Sequence, residues 1–228
     1  MRVAAAPAAL VHPLLGARGV AHGFGTRGAP EPRGLVRPRQ VHGRAVARLS
    51  ARGGVAPAEA DAIVADVAGA IVGVVTADCV PILVADADGA RVAAVHAGWR
   101  GLAAGVIEAS IEALAGAGSE PGGLHAVIGP CIGRCCYEID APVVEALAAR
   151  FPDSIAGALD PVDAERHRLD LAALAREALV RTGVARGAVG GFPDACTRCD
   201  AERFHSYRRD GAGAGRLVHW IQVRRSQG

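Results

Sequence analysis

From residue 70 onward the chain alternates short apolar runs with polar turns, a pattern that is typical of β-strands. The runs are too short and too rich in β-branched residues to be helices. They predict strands at residues 70–76, 81–85, 91–95, 125–128 and 217–223. Asp86-Ala87-Asp88-Gly89 predicts a hairpin turn between two of them. Alternation from Leu217 to Val223 predicts that the last strand buries one face.

Three other stretches place apolar residues at helical spacing and predict helices at residues 101–117, 141–151 and 171–182. Asp140 and Asp170 stand at the N-cap positions of the second and third helices, while Gly118 and Gly183 end the first and third. The N-terminal third is rich in Gly, Pro and Arg and predicts loops and short strands.

Hairpin-connected strands with a few helices indicate the α/β class, as one layered domain spanning residues 1–228. We expect mixed, mostly antiparallel sheets packed with helices, and not a doubly wound parallel sheet. No Gly-x-Gly-x-x-Gly motif opens a helix after a strand, so a dinucleotide-binding fold is not expected.

Composition and charge narrow the class of function. The 228 residues carry 25 Lys and Arg against 23 Asp and Glu, and this balance gives no reason to expect a nucleic-acid partner. No run of about 18 apolar residues occurs, so no membrane span is predicted. Pro7, His12 and Pro13 interrupt the apolar N-terminal segment, which predicts a mature cytoplasmic protein. The chain has no lysine, which excludes lysine-dependent chemistry.

Reactive side chains follow two of the predicted strands. Asp78 and Cys79 come after the strand at 70–76, and His96 comes after the strand at 91–95. We interpret these as adjacent strands that deliver a thiol and an imidazole to one place. Such a pair serves as a nucleophile with its base or as two ligands of a metal ion. The plainer alternative is a buried cysteine beside a packed histidine.

His42, in a loop that ends at Gly43, is a third candidate ligand, although a lone histidine in such a loop is usually a surface residue. Two histidines and a cysteine would leave a fourth metal position open, which is the arrangement of a catalytic zinc site. Zinc lowers the pKa of a bound water to about 7.

The other cysteines leave two interpretations open. Their spacing would allow a structural zinc site formed by two groups, the first with Cys131, Cys135 and Cys136 and the second with Cys196 and Cys199. Only the pair Cys196 and Cys199 has the two-residue gap that is usual in zinc sites, so free thiols are the default expectation.

A series of motifs runs in order through most of the chain: Gly23-Phe24-x-Thr26-Arg27, Gln40-Val41-His42-Gly43, Ala60-Asp61-Ala62, Thr76-Ala77-Asp78-Cys79-Val80-Pro81, Val95-His96-Ala97-Gly98-Trp99-Arg100-Gly101, Ile128-Gly129-Pro130-Cys131-Ile132 and Ser206-Tyr207-Arg208-Arg209-Asp210-Gly211. Together they resemble the YfiH-type family. That family was long labelled multicopper polyphenol oxidase or laccase domain. It is now described as purine nucleoside phosphorylase with adenosine deaminase and methylthioadenosine phosphorylase activity.

The resemblance implies a YfiH-like fold and a zinc ion held by His42, Cys79 and His96. It also implies a cleft that binds a purine nucleoside and phosphate. The residues expected around that cleft are Arg27, Gln40, Asp61, Asp78, Arg100, Cys131, Tyr137, Arg208 and Arg209. Cys199 and His205 depart from the common family pattern beside the last motif.

Within this expectation, Asp78, Cys79 and His96 form the catalytic group. Asp78 is the expected proton-shuttling carboxylate in deamination, or else a partner that orients a ligand. Arg27, Arg100 and Arg208 are the expected phosphate contacts, although any one of them could be a solvated surface charge.

Copper chemistry is disfavoured because a multicopper oxidase needs many histidine ligands. The chain has eight histidines and no His-x-His pair. The principal alternative is a metal-free hydrolase with Cys79 as nucleophile and His96 as base, which would edit a peptidoglycan precursor. A non-enzymatic binding module is a third interpretation, and both a monomer and a homodimer fit the sequence.

Overall fold

The computed structural model describes residues 8–50, 53–56, 58–163 and 165–225. Its strands in chain order are β1 (His22–Phe24), β2 (Leu35–Val36), β3 (Val46–Ser50), β4 (Gly53–Ala56), β5 (Ala62–Ala65), β6 (Ile71–Thr76), β7 (Val80–Ala85), β8 (Val92–Ala97), β9 (His125–Ile128), β10 (Glu138–Ile139), β11 (Leu159–Pro161), β12 (His167–Leu169), β13 (Val189–Gly191) and β14 (Leu217–Gln222). The α-helices are α1 (Pro13–Gly16), α2 (Trp99–Ala104), α3 (Val106–Gly116), α4 (Ala141–Arg150), α5 (Leu171–Arg181) and α6 (Tyr207–Asp210).

Two large mixed sheets and a small one organise these strands. The larger sheet has the order β13-β9-β7-β8-β5-β3-β4, in which β9/β13 and β3/β5 pair in parallel and the other neighbours pair antiparallel. The second sheet has the order β1-β14-β6-β2, with β2 parallel to β6. A small antiparallel sheet, β10-β12-β11, completes the set in the described part of the chain.

The larger sheet lies between the second sheet and a layer of helices. Alternate residues of β7 show this, because Ile82 packs in the core shared with α3 and α5, whereas Leu83 packs in the core shared with β6 and β14. Every residue of β7 and β8 is buried. Both faces of these strands are therefore covered, which explains their uninterrupted apolar sequence.

The structure confirms a mixed α/β fold of sheets packed with helices, and the predicted strands correspond to β6, β7, β8, β9 and β14. The prediction of one helix at 101–117 is wrong. The structure has two helices there, α2 beginning at Trp99 and α3 beginning at Val106, and they are separated by Gly105, where φ is 88°. Asp170 caps α5 through Ala173 N, but the side chain of Asp140 makes no capping hydrogen bond. No helix among the described residues has the length and apolarity needed to cross a bilayer.

Candidate metal centre and cleft

His42, Cys79 and His96 lie together, with one potential ligand atom from each and all three atoms within 4.8 Å of one another. His96 belongs to β8, and Cys79 ends the turn that leads from β6 into β7. Because Pro81 pairs with His96 across the β7/β8 ladder, Cys79 is delivered beside the imidazole. The thiol and the imidazole are therefore brought together as predicted, but by a different strand pair. The neighbour of β8 is β7, which begins directly after Cys79, whereas β6 belongs to the other sheet.

Asp61, fully buried just before β5, organises this group. Its Oδ1 accepts hydrogen bonds from Nδ1 of His96 and from the backbone N–H of His42, both at 2.8 Å. Its Oδ2 accepts from the N–H groups of Gly43 and Val41 at 2.7 and 3.2 Å. The carboxylate thus leaves Nε2 of His96 free to bind a metal ion, and it holds the loop that carries His42. The resemblance implies a substrate contact for Asp61, whereas its carboxylate lies beneath the cluster and does not line the cleft.

The electrostatics favour a thiolate and an imidazolium in the metal-free pair. Burial by itself raises the pKa of the Cys79 thiol, but hydrogen bonds and positive charge from His42 and His96 lower this pKa to about 6. Burial by itself lowers the pKa of His96, but its bonds to Asp61 and Cys79 raise that pKa to about 9. The same arrangement suits a cysteine nucleophile and a cysteine metal ligand.

The donor set also fits a divalent metal such as zinc. Two imidazoles and one thiol are three protein ligands of the kind found in catalytic zinc sites, and the cleft supplies the open side. The backbone at Gly98 packs directly on the cluster, since a Cβ there would lie 3.0 Å from Cys79 Sγ and 3.2 Å from His42 Cδ2. Glycine at this position therefore lets the three ligands converge.

A cleft of about 600 Å³ opens over the three ligands. Five arginines line it: Arg37, Arg39, Arg100, Arg208 and Arg216. Three aromatic residues line it as well: Trp99, Tyr137 and Tyr207. The guanidinium of Arg208 lies 5.0 Å from the centre of the Tyr137 ring, and that of Arg100 lies 4.3 Å from the Trp99 ring. Cationic and aromatic groups thus lie side by side in the cleft, which suits a ligand that is both anionic and aromatic.

Asp78 lines the cleft in a backbone conformation that is unusual for a side-chain-bearing residue, with φ at 102°. Its Oδ1 accepts a hydrogen bond from Thr197 Oγ1 at 2.6 Å, and its Oδ2 accepts from the backbone N–H of Arg208 at 2.7 Å. Both carboxylate oxygens therefore hold the segment that carries Arg208. This geometry favours a positioning role over a proton shuttle.

The structure does not bring every predicted contact to the cleft. Arg27 pairs with Asp210 at 3.3 Å and bonds the Phe204 carbonyl, outside the cleft lining. Cys131 is buried and lines a separate cavity of about 810 Å³. Gln40 reaches the cleft, but its amide pairs with both backbone groups of Val75.

Sequence reasoning missed other cleft residues, namely Arg37, Arg39, Arg216 and Leu171. Trp99 and Tyr207 stood inside recognised motifs without an assigned role. Arginines are frequent throughout this chain, so nothing in the pattern distinguishes those of the cleft from surface charges. Only the folded arrangement separates them.

Comparisons with known proteins agree with this geometry. Residues 21–224 match the family described as multi-copper polyphenol oxidoreductase laccase, and the chain belongs to that family. A purine nucleoside phosphorylase of Xylella fastidiosa is 40% identical over 193 residues, which cover 80% of this chain and 70% of the relative. An adenosine deaminase, RL5, from an unknown prokaryotic organism is 35% identical over 196 residues, covering 82% and 74%.

Among solved structures, the hypothetical protein YfiH of Bacillus licheniformis superposes with a TM-score of 0.86 at 25% identity. The superposition covers 96% of this chain and 98% of that one. The YfiH resemblance and the fold class are thereby confirmed.

Proposed function

We propose that the chain is an enzyme that acts on purine nucleosides in the cleft over His42, Cys79 and His96. The convergence of these three potential ligands at the floor of an arginine-lined cleft carries the proposal. Relatives named purine nucleoside phosphorylase and adenosine deaminase support it. The reactions proposed are phosphorolysis of adenosine, inosine or methylthioadenosine, and deamination of adenosine to inosine.

Zinc is the proposed metal, with His42, Cys79 and His96 as its ligands. When bound, zinc would supply a Lewis acid that makes water nucleophilic near neutral pH. A multicopper oxidase reaction does not suit the site. In the described residues, the other cluster of three or more potential ligands consists of cysteines alone, whereas multicopper chemistry needs further histidines.

The chain's own residues would bind and orient the substrates. In phosphorolysis, a phosphate oxygen bonds to C1′ of the ribose while the bond from C1′ to the base breaks, and the departing base takes up a proton. Arg208 and Arg100 would hold the phosphate, and Tyr137 and Trp99 would contact the purine ring. Asp78 would keep Arg208 in place through its bond to the Arg208 backbone.

A thiol hydrolase is a second candidate because one specific observation favours it. The lowered pKa of Cys79 and the raised pKa of His96 describe a nucleophile and an acid–base partner in the metal-free protein. Such an enzyme would cleave an amide in a peptidoglycan precursor. All six cysteines lie in the described residues and are unpaired, which suits the cytoplasmic location proposed for either reaction.

The deciding experiment incubates the purified protein with adenosine, with and without phosphate, and identifies the products. Inosine and ammonia without phosphate indicate deamination, whereas adenine and ribose-1-phosphate indicate phosphorolysis. Absence of both products, together with no phosphorolysis of inosine or methylthioadenosine in parallel assays, would overturn the nucleoside proposal.

His42→Ala tests the metal in the same assay. We expect loss of the cluster metal and of turnover, with a fall of at least 100-fold. His167→Ala, the same substitution in β12 away from the cleft, is the matched control and should keep both. Full turnover of adenosine and inosine by His42→Ala would contradict the metal-dependent mechanism.

A further inference from the structure

A second cluster of ligands lies outside the cleft and takes no part in the proposed reaction. Cys135 and Cys136 belong to the segment between β9 and β10, and Cys196 and Cys199 belong to the segment between β13 and α6. Their four sulfur atoms all lie within 4.8 Å of one another. Sγ of Cys199 is 3.3 Å from that of Cys136 and 3.6 Å from that of Cys135.

These separations fit four thiolates around one tetrahedral ion. A bond of about 2.3 Å from zinc to sulfur places neighbouring sulfurs about 3.8 Å apart in a tetrahedron. The backbone N–H of Gly133 donates to Sγ of Cys196 at 3.2 Å, an outer contact of the kind that orients a metal ligand. The cluster therefore has the four ligands that a tetrahedral zinc site needs and a backbone hydrogen bond that orients one of them.

Disulfide pairing accounts for the cluster less well. Sγ of Cys199 is close to the sulfurs of both Cys136 and Cys135, and Cys199 can form a disulfide with only one of them. Cys135 and Cys136 are sequence neighbours, and two segments 60 residues apart bring two cysteines each to the same point. A single central ion accounts for all four sulfurs lying within 4.8 Å of one another, whereas two disulfides require only that each pair be close.

We propose that Cys135, Cys136, Cys196 and Cys199 bind one structural Zn²⁺ ion. Four soft thiolate ligands favour zinc, and a site that is closed by four protein ligands has no open position for a substrate. The proposal does not depend on the nucleoside reaction, because it concerns a separate metal with a structural task.

The contacts around the cluster indicate what this ion would hold in place. Tyr137, which lines the cleft, follows Cys136 directly. Thr197, which follows Cys196, donates to Asp78, and its carbonyl accepts from Arg209. The ion would therefore join the segment that leads into Tyr137 to the segment whose Thr197 contacts Asp78 and Arg209, and it would keep Tyr137 and Arg208 in place.

Metal analysis of the purified chain, prepared under reducing conditions, tests the proposal. We expect two zinc ions per wild-type chain and one in Cys135→Ser/Cys199→Ser. His42→Ala should also hold one, and Cys131→Ser, a cysteine outside the cluster, should hold two as the matched control. A double variant that keeps the full zinc content would overturn the proposal, and so would iron in place of zinc. A wild-type sample prepared without reductant whose mass is two or four hydrogens short would overturn it as well.

Cobalt substitution gives a test that does not require a cysteine variant to fold. In His42→Ala loaded with Co²⁺ alone, four thiolates should give intense thiolate-to-cobalt charge-transfer absorption and the d–d bands of a tetrahedral ion. Weak, octahedral d–d bands would contradict the site. Because these readouts do not depend on turnover, failure of the nucleoside assay would leave this result unaffected.

Discussion

Asp61 shows how one buried carboxylate can organise a candidate metal centre without being one of its proposed ligands. It fixes which nitrogen of His96 is available and holds His42 at a backbone φ of 61°. Positive φ is unfavourable for histidine, and the bonds to Asp61 Oδ1 and Oδ2 offset that strain. The position of two of the three proposed ligands thus depends on this side chain.

Replacing this carboxylate should therefore weaken the metal site selectively. In Asp61→Asn, an NH₂ group would face either the His96 Nδ1–H or the loop N–H groups, all of which are donors. We expect zinc affinity at the cluster of His42, Cys79 and His96 to fall about 10- to 100-fold. Competition with a chromogenic chelator measures this fall, and the zinc affinity of the proposed four-cysteine site serves as the internal control. Unchanged affinity would show that Asp61 does not orient His96.

His219 is a second buried residue whose protonation state follows from its partners. The backbone N–H of Gly25 donates to its Nδ1 at 3.3 Å, so its Nε2 carries the proton and donates to Thr76 Oγ1 at 2.8 Å. Burial, together with a smaller contribution from the positive charge of His96, lowers the pKa of His219 to about 3. The folded protein therefore keeps this imidazole neutral.

This lowered pKa predicts a loss of stability in acid. Below pH 6.5, the usual value for histidine, the unfolded chain binds a proton at His219 that the folded protein does not bind until about pH 3. Stability is thus fully present above pH 6.5 and falls as the pH decreases. At pH 5 the loss is about 2 kcal/mol, at about 1.4 kcal/mol per pH unit.

Urea unfolding at pH 8 and pH 5 measures this contribution. His219→Gln should be less stable at pH 8 by about 1–3 kcal/mol through its lost hydrogen bonds. Its further loss at pH 5 should be about 2 kcal/mol smaller than that of the wild type. Identical pH dependences in the two proteins would contradict the assignment.

At the level of elements, the break between α2 and α3 shapes one side of the cleft. Gly105 adopts φ of 88° and its N–H caps α2 by donating to the carbonyls of Gly101 and Leu102. Apolar spacing continues through this point, which is why the pattern alone predicts a single helix. The break lets α2 carry Trp99 and Arg100 to the cleft while α3 packs on β8.

Two glycine substitutions should have opposite effects here. In Gly105→Ala, the positive φ and a Cβ placed 2.9 Å from Arg150 Nη2 should destabilise the fold by about 1–3 kcal/mol. Gly116→Ala, at the end of α3, meets only Arg48 Nη2 at an ordinary 3.6 Å and should stabilise the helix by up to about 1 kcal/mol. Urea or thermal unfolding of both variants checks the contrast, and equal effects would contradict this account of the break.

At the level of the whole molecule, the cleft is assembled from distant parts of the chain. Its lining comes from residues within 37–42, 75–79 and 96–100 and, much later in sequence, from Ile132, Tyr137, Leu171 and residues within 207–216. No one of these segments forms a site alone. Ligand binding in the cleft should therefore stabilise the entire fold rather than one local element.

Phosphate should accordingly raise the unfolding temperature, and Arg208→Ala should remove most of that effect. A ligand at 100 times its Kd contributes about 2.7 kcal/mol of stability. Arg203→Ala, an exposed arginine paired with Asp200, is the matched control and should respond as the wild type does. Melting curves at constant ionic strength check the comparison, and an equal shift in Arg208→Ala would exclude Arg208 from the proposed phosphate site.

The sequence by itself determined what local periodicity and motif chemistry can specify. Alternation predicted β14, uninterrupted apolar runs predicted the buried strands β7 and β8, and the motifs around His42, Cys79 and His96 indicated the three clustered residues. These features depend on neighbours within a few positions of each residue. They can be read along the chain for that reason.

Only the tertiary structure decided which distant residues meet. It placed Asp61 behind His96, turned both oxygens of Asp78 to the segment of Thr197 and Arg208, and left Arg27 outside the cleft. It also drew four cysteines to one point where spacing favoured free thiols. These contacts depend on which segments far apart in sequence pack against one another, and the periodicity within a segment does not specify its partners.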